Sequence, residues 1–297
     1  MHQGISTHVF LARRLSPALL ESLAAAGASA IEVFAARHHF DYTDRRAVRE
    51  LANWFRSSNV VPTMHMPLYA NTEWSRHIEP SLNLISESKA ACIEAQDEVK
   101  RALEAAEEVP FRSCVLHIGQ KEDTWDTRTI DASLTAIEHL KAFATPLGVQ
   151  LVLENLPNRV STPAHLVEIA KIGHFDSVGF CLDVGHAHLE EPQAETRHAP
   201  GKSALALAFE AFAPMGARLT ELHLHDNRGG QSGNGKDHHL WPGQGTLDWT
   251  ELSALVAGLP HEPTGFLEVA HELGGDETLI ESNADRSWKL FTASVNA

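Results

Sequence analysis

The chain has 297 residues, 43% of them hydrophobic and 21% charged, enough for one large soluble domain with a sizeable core. Its formal net charge of −15 argues against a nucleic-acid partner, whose phosphates are held mainly by Lys and Arg. No run of apolar residues is long enough to span a membrane.

Short apolar runs alternate with helical patterns from end to end. The first strand is expected at Gly4–Phe10, and Ser16–Ala26 follows as a helix opened by Ser-Pro. A strand at Ala30–Ala35 precedes a helix at Asp44–Ser57. The strand Val60–Met66 precedes a long Ala/Glu/Lys-rich helix at Glu87–Glu108. Arg112–Ile118 is paired with Thr124–Ala144, and Gln150–Asn155 with Thr162–Ile172. Val178–Val184 is followed by Ser203–Phe212, Leu219–His225 by Asp248–Ala257, and Gly265–Ala270 by Glu277–Phe291. Strict βα alternation implies a parallel sheet, and eight units are the number that closes one. The fold class expected is α/β, a (β/α)8 TIM barrel forming a single domain over residues 1–297. An open doubly wound sheet is the alternative, but no GxGxxG follows the first strand.

Two connections read as long polar loops, Ala187–Lys202 and Asn227–Gly245. Loops of that length are commonly functional, and both follow strands, which places them at the catalytic mouth of a barrel.

The 19 histidines outnumber Phe and Tyr together. Several fall at strand ends: His65 in TMHMP, His117 in VLHIG, His186 just after FCLDV, and His223 and His225 in ELHLHDN. Glu154 in LVLEN, Asp183 in FCLDV and Glu268 in FLEVA take corresponding places. Side chains alternate along a strand, so the leucines of ELHLHDN face the helices and its histidines the barrel interior. A lone histidine at a strand end is more often structural than a ligand. Six successive strands ending this way are harder to dismiss, because so many buried ionisable groups are costly without a cation or mutual pairing. Mixed imidazole and carboxylate donors suit Mn, Co, Zn, Fe or Mg rather than a thiolate-selected metal.

Other chemistries lack their signatures. There is no GxSxG elbow, and Gly229–Gly235 lacks P-loop spacing. The only cysteine placed to act as a nucleophile is Cys181. Cys92, Cys114 and Cys181 show no disulfide or zinc spacing, so reduced thiols and a cytoplasmic setting are expected. The N-terminal MHQGISTHVF does not read as a signal peptide.

Through LVLEN, CLDVGHAH, LHLHDN and DHHLWPGQGTLDW, the chain resembles the xylose isomerase-like TIM-barrel superfamily. That superfamily includes sugar isomerases and epimerases, inosose dehydratases and endonuclease IV-type AP endonucleases. In the ketose epimerase-like members, one metal is held at positions matching Glu154, Asp183, His223 and Glu268. The resemblance implies that Glu154 and Glu268 are also the acid–base pair on opposite faces of a carbohydrate, with a divalent ion stabilising an enediolate. His186, Arg228 and His8 match or neighbour substrate contacts. In the AP endonucleases, a three-metal zinc set matches His65, His117, Glu154, Asp183, His186, His223, Asp237, His239 and Glu268. The resemblance therefore implies a metal-dependent sugar isomerase or epimerase, with an AP endonuclease or a lyase on an inosose or keto-sugar as alternatives. Homo-oligomers are frequent among similar enzymes.

Overall fold

The computed structural model describes residues 1–75, 77–189, 201–229, 236–270 and 279–295, with side chains through 291. Eight parallel strands close into a barrel in sequence order: β1 (His2–Ser6), β2 (Ala30–Phe34), β3 (Val61–His65), β4 (Ser113–Leu116), β5 (Gln150–Glu154), β6 (Gly179–Asp183), β7 (Leu219–Leu224) and β8 (Thr264–Leu267). Closure is direct, with β1 pairing β8 from His2↔Thr264 to Ile5↔Leu267. The expected (β/α)8 architecture is the observed one.

The helices are α1 (Pro17–Ala25), α2 (Arg45–Ser57), α3 (Lys89–Glu104), α4 (Thr127–Ala144), α5 (Pro163–Ile172), α6 (Val184–Leu189), α7 (Ala204–Phe212), α8 (Trp249–Ala257) and α9 (Leu279–Val295). Local chemistry sets their starts. Asp44, Ser88, Asp126, Thr162, Ser203 and Asp248 each cap a helix through a side-chain oxygen, satisfying backbone N–H groups with no intrahelical partner. Ser16 occupies the N-cap position before Pro17, but its side chain makes no capping bond.

Outward strand residues such as Leu151, Leu153, Leu222 and Leu224 join the helices in the main core, whereas Val115, Val152 and Cys181 form a separate apolar cluster. On these strands they alternate with Leu116, Leu153 and Leu182 of the main core, which places them inside the barrel. Gly4 gives its neighbour room: a Cβ there would lie 2.4 Å from Cδ1 of Phe266.

Two expectations are corrected. The first strand ends at Ser6, not Phe10: the Ser6 hydroxyl accepts from the His8 N–H and turns Thr7–Phe10 into a 3-10 helix. His8 therefore lies on that turn beyond the strand. The stretch read as a loop from Ala187 begins inside α6, and among the described residues α6 and α7 lie between β6 and β7; residues 190–200 lie outside the described set. The loop from Asn227 is tied back by an antiparallel bridge between Asp226 and Leu240, and residues 230–235 lie outside the described set. Among the described residues, no helix is long and apolar enough to cross a membrane.

Candidate metal centre

At the C-terminal mouth of the barrel, β5 delivers Glu154, β6 Asp183 and β7 His223, while Glu268 immediately follows β8. One ligand atom from each of the four lies within 4.8 Å of all the others. His223 Nδ1 is 3.4 Å from Glu154 Oε1, 3.1 Å from Glu268 Oε2 and 3.9 Å from Asp183 Oδ2. Bonds of roughly 2 Å to a tetrahedral ion imply ligand separations of about 3.3 Å, and these distances bracket that value.

Glu154 Oε1, His223 Nδ1 and Glu268 Oε2 are buried with no hydrogen-bond partner. An unsatisfied buried polar atom is costly, and here three face one point. A divalent cation fits this set, because it satisfies all three atoms and neutralises carboxylates otherwise crowded together.

The neighbouring donors extend the centre in two directions. His65, His117 and Glu154 form a second group: His117 Nε2 is 2.9 Å from Glu154 Oε2 and 3.0 Å from His65 Nε2. On the other side, His186, His225, Asp237 and His239 form a third, with Asp237 Oδ2 at 2.9 Å from His186 Nε2 and 3.0 Å from His239 Nε2. His8 joins His239 and Glu268, its Nδ1 on the Val269 carbonyl at 3.2 Å.

Most of these rings are oriented from behind. His65 Nδ1 donates to the Met66 carbonyl at 2.9 Å, His186 Nδ1 to that of Asn155 at 2.9 Å, and His239 Nδ1 to that of Glu268 at 2.8 Å. Each then presents Nε2 to the pocket, the arrangement that metal-ligating histidines use. His239 takes a left-handed backbone with φ 45°. For a non-glycine residue this costs of order 1–3 kcal/mol and persists only where surroundings hold it. Here its ring bond to Glu268 and the Ala270 N–H on its carbonyl at 2.9 Å do so.

The electrostatics are those of interleaved acids and bases. Burial opposes charge on His186, but Asp183 and Asp237 outweigh it and hold its pKa well above the usual value. Burial is likewise outweighed at His239, raised to about 10 chiefly by Asp237, and at His65, raised by Glu154 and Glu32. Glu154 and Glu268 are desolvated, yet His117 and His223 beside the former and His223 beside the latter hold both well below the usual carboxylate range. His117 is lowered by burial, and His8 falls to about 4 through burial and His239. Cys181 lies inside the barrel, where burial pushes its thiol well up; this is the environment of an inert thiol, not a nucleophile.

The structure thus assembles His8, His65, His117, Glu154, Asp183, His186, His223, Asp237, His239 and Glu268. Arg228 is exposed at the start of its loop.

Several positioning residues escaped the sequence reading. The Asn155 side chain pairs with both the N–H and the carbonyl of Asp183, at 2.8 and 3.0 Å. Asn227 donates to Asp237 Oδ1 at 3.0 Å and accepts from the His238 N–H at 2.6 Å. Asp226 accepts from the N–H groups of Asn227, Gly243 and Leu247 and from Trp249 Nε1, pinning the loop that carries Asp237 and His239. Gly185 leaves room for His225, whose inward placement the sequence did indicate: a Cβ at Gly185 would lie 2.0 Å from that ring, which reaches Asp183 Oδ2 at 3.0 Å. The available signals were the asparagines ending LVLEN and LHLHDN and the glycine in DVGHAH.

Comparison with known proteins gives a consistent fold. An uncharacterized protein of Methanocaldococcus jannaschii, MJ1311, is 26% identical over 161 residues, 52% of this chain and 49% of its own length. The uncharacterized protein y4fM of Sinorhizobium fredii is 26% identical over 167 residues, 54% of this chain and 47% of its own. The chain therefore spans about half the length of these curated relatives. Among solved structures, a D-tagatose 3-epimerase-like protein superposes with a TM-score of 0.72 at 21% identity, covering 99% of this chain and 100% of that one. The IolI protein with a bound zinc atom gives 0.75 at 17%, covering 99% of each chain. D-psicose 3-epimerase from Clostridium cellulolyticum H10 with D-tagatose gives 0.71 at 17%, again covering 99% of each. At such identities the superpositions establish the shared barrel. The model of the xylose isomerase-like TIM barrel family matches residues 20–283, and the chain belongs to that family.

Proposed function

We propose that the protein is a divalent-metal-dependent isomerase or epimerase acting on a sugar or sugar derivative. The observation that carries this reading is the convergence of Glu154, Asp183, His223 and Glu268 on one point, with three of their atoms buried and unpartnered. The 3-epimerases among the structural neighbours make a ketose the first substrate class to test. Glu154 and Glu268 come from β5 and from the end of β8, two well-separated strands of the wall. Neighbouring histidines favour the ionised form of both carboxylates, which suits either one to remove a proton from carbon; the other returns a proton to the opposite face after taking one up from solvent. A bound divalent ion would supply Lewis-acid stabilisation of the negative charge that develops on substrate oxygen. His65, His117 and His186 line the same pocket and present ring nitrogens that can hold hydroxyl groups.

The test is a panel of ketoses, aldoses and inososes incubated with the metal-loaded protein in D2O and followed by NMR. We expect deuterium at the carbon next to a carbonyl. Glu154→Gln and Glu268→Gln should each lower turnover by at least about a hundredfold, within the range general acid–base transfer contributes. Near-normal turnover in either variant would reject the acid–base role. Loss of water without exchange into recovered substrate would assign a lyase instead.

A second reading has its own observation. The three donor groups run side by side, with Glu154 common to two and Asp183 joined to the third through His225, a layout suited to more than one ion. A multinuclear hydrolase of phosphodiesters would use it. Two or three zinc ions per chain, with cleavage of an abasic-site duplex, would support hydrolysis; a single ion and an intact duplex would reject it.

A further inference from the structure

Beneath the four-residue centre, the barrel interior holds two more carboxylates. Glu32 is central on β2 and Glu221 starts the inward face of β7; both are at most 4% exposed. Glu221 accepts from the Ser113 hydroxyl, and burial raises its pKa to about 7. Glu32 faces the histidine of the centre: its Oε2 lies 3.1 Å from His223 Nε2. It pairs in register with Ser6 and Thr63 on the flanking strands, so it stands on rigid wall rather than on a loop.

We propose that Glu32 is a positioning residue for the metal centre, holding His223 in the tautomer that turns the lone pair of Nδ1 toward Glu154, Asp183 and Glu268. The inference rests on the centre binding a cation, as the proposed function requires, and not on the reaction catalysed there. The physical case has three parts. An imidazole with Nε2–H donated to a carboxylate has only Nδ1 left to offer a metal. His223 Nδ1 is buried and lacks a hydrogen-bond partner. Glu32 is the acceptor that His223 has behind it, whereas His65, His186 and His239 each use a backbone carbonyl. A carboxylate raises the basicity of the ring more than a carbonyl does, so this one ligand depends on a replaceable side chain.

The test uses the full chain stripped of metal and titrated with Zn2+ by calorimetry against a competing chelator. Glu32→Gln keeps the shape but removes the charge, and Zn2+ affinity should fall about 10- to 100-fold. Glu32→Leu removes the acceptor, and affinity should fall further. Its Co2+-loaded form should also show an altered visible absorption spectrum as the nitrogen ligand is lost. A purely structural role would leave affinity and spectrum unchanged once the melting temperature of the stripped variant matched wild type. On Zn2+-loaded wild type, long-range 1H–15N spectra should show His223 protonated at Nε2 and metallated at Nδ1, a readout that needs no variant. Wild-type affinity in Glu32→Gln, or the opposite tautomer, would overturn the positioning role. Wild type that takes up no Zn2+ would overturn it together with the metal centre. Ordered loss of Zn2+ affinity in a protein that exchanges no sugar proton would sustain Glu32 while rejecting the isomerase reading.

Discussion

His39 shows how much a single buried ring can govern. It is fully buried between the Arg13 carbonyl, which its Nδ1 meets at 2.5 Å, and the Thr7 hydroxyl, which its Nε2 meets at 3.0 Å. Burial lowers its pKa to about 3. The unfolded chain, with a histidine near 6.5, therefore binds a proton that the folded chain refuses between about pH 6.5 and 3. Stability contributed by this residue is complete above that window and falls as pH drops through it, by about 1.4 kcal/mol per pH unit. His39→Gln should make the acid side of the stability–pH curve shallower by up to that amount, measured by urea unfolding from pH 7 to 4. An unchanged slope would mean that the ring is protonated in place. At the same scale, the sequence pointed to side chains that the structure brings together, but not to those that hold them. Glu154 and His223 were legible because they end strands where inward alternation meets the barrel mouth. Glu32 was not, because AIEVF offers one acid inside an apolar run and only strand closure brings β2 opposite β7.

At the scale of elements, the βα rhythm was legible throughout and the boundaries less so. Capping residues are local signals, and Asp44, Thr162, Ser203 and Asp248 mark their helices to within a residue or two of the spans read from the sequence. Thr7–Phe10 was misread because THVF continues the apolar pattern of β1 while the Ser6 hydroxyl breaks the ladder. Asp237 and His239 were identified only by resemblance, since a polar loop has no period to locate them and the Asp226–Leu240 bridge that returns them to the barrel is non-local. Helix α4 offers a direct test of local stabilisation. Asp126 caps it through the Thr129 N–H, and the Thr129 hydroxyl accepts from the Asp126 N–H. Asp126→Ala should cost about 1 kcal/mol, read as a shift in urea midpoint at unchanged m-value, while Asp126→Ser should recover most of it.

For the whole molecule, the candidate donors gather in and at the C-terminal mouth of an acidic barrel, and an ion bound there should be felt globally. A ligand bound only by the folded state at a hundred times its dissociation constant adds about 2.7 kcal/mol. At about 2–4 °C per kcal/mol for large domains, saturating divalent metal should raise the melting temperature of the stripped protein by roughly 5–10 °C. A melting curve that does not move after confirmed metal removal and reloading would argue against an intact centre. Because His186 and His239 are raised by their carboxylate neighbours, a cation held there would have to displace bound protons.

The Asp226 carboxylate has a consequence for how this barrel can change. Four donors, from Asn227, Gly243, Leu247 and Trp249, converge on it, so both ends of the β7–α8 connection are moored to one atom pair at the strand tip. Losing that carboxylate would therefore release both ends at once and unseat Asp237 and His239 together, although it touches neither of them.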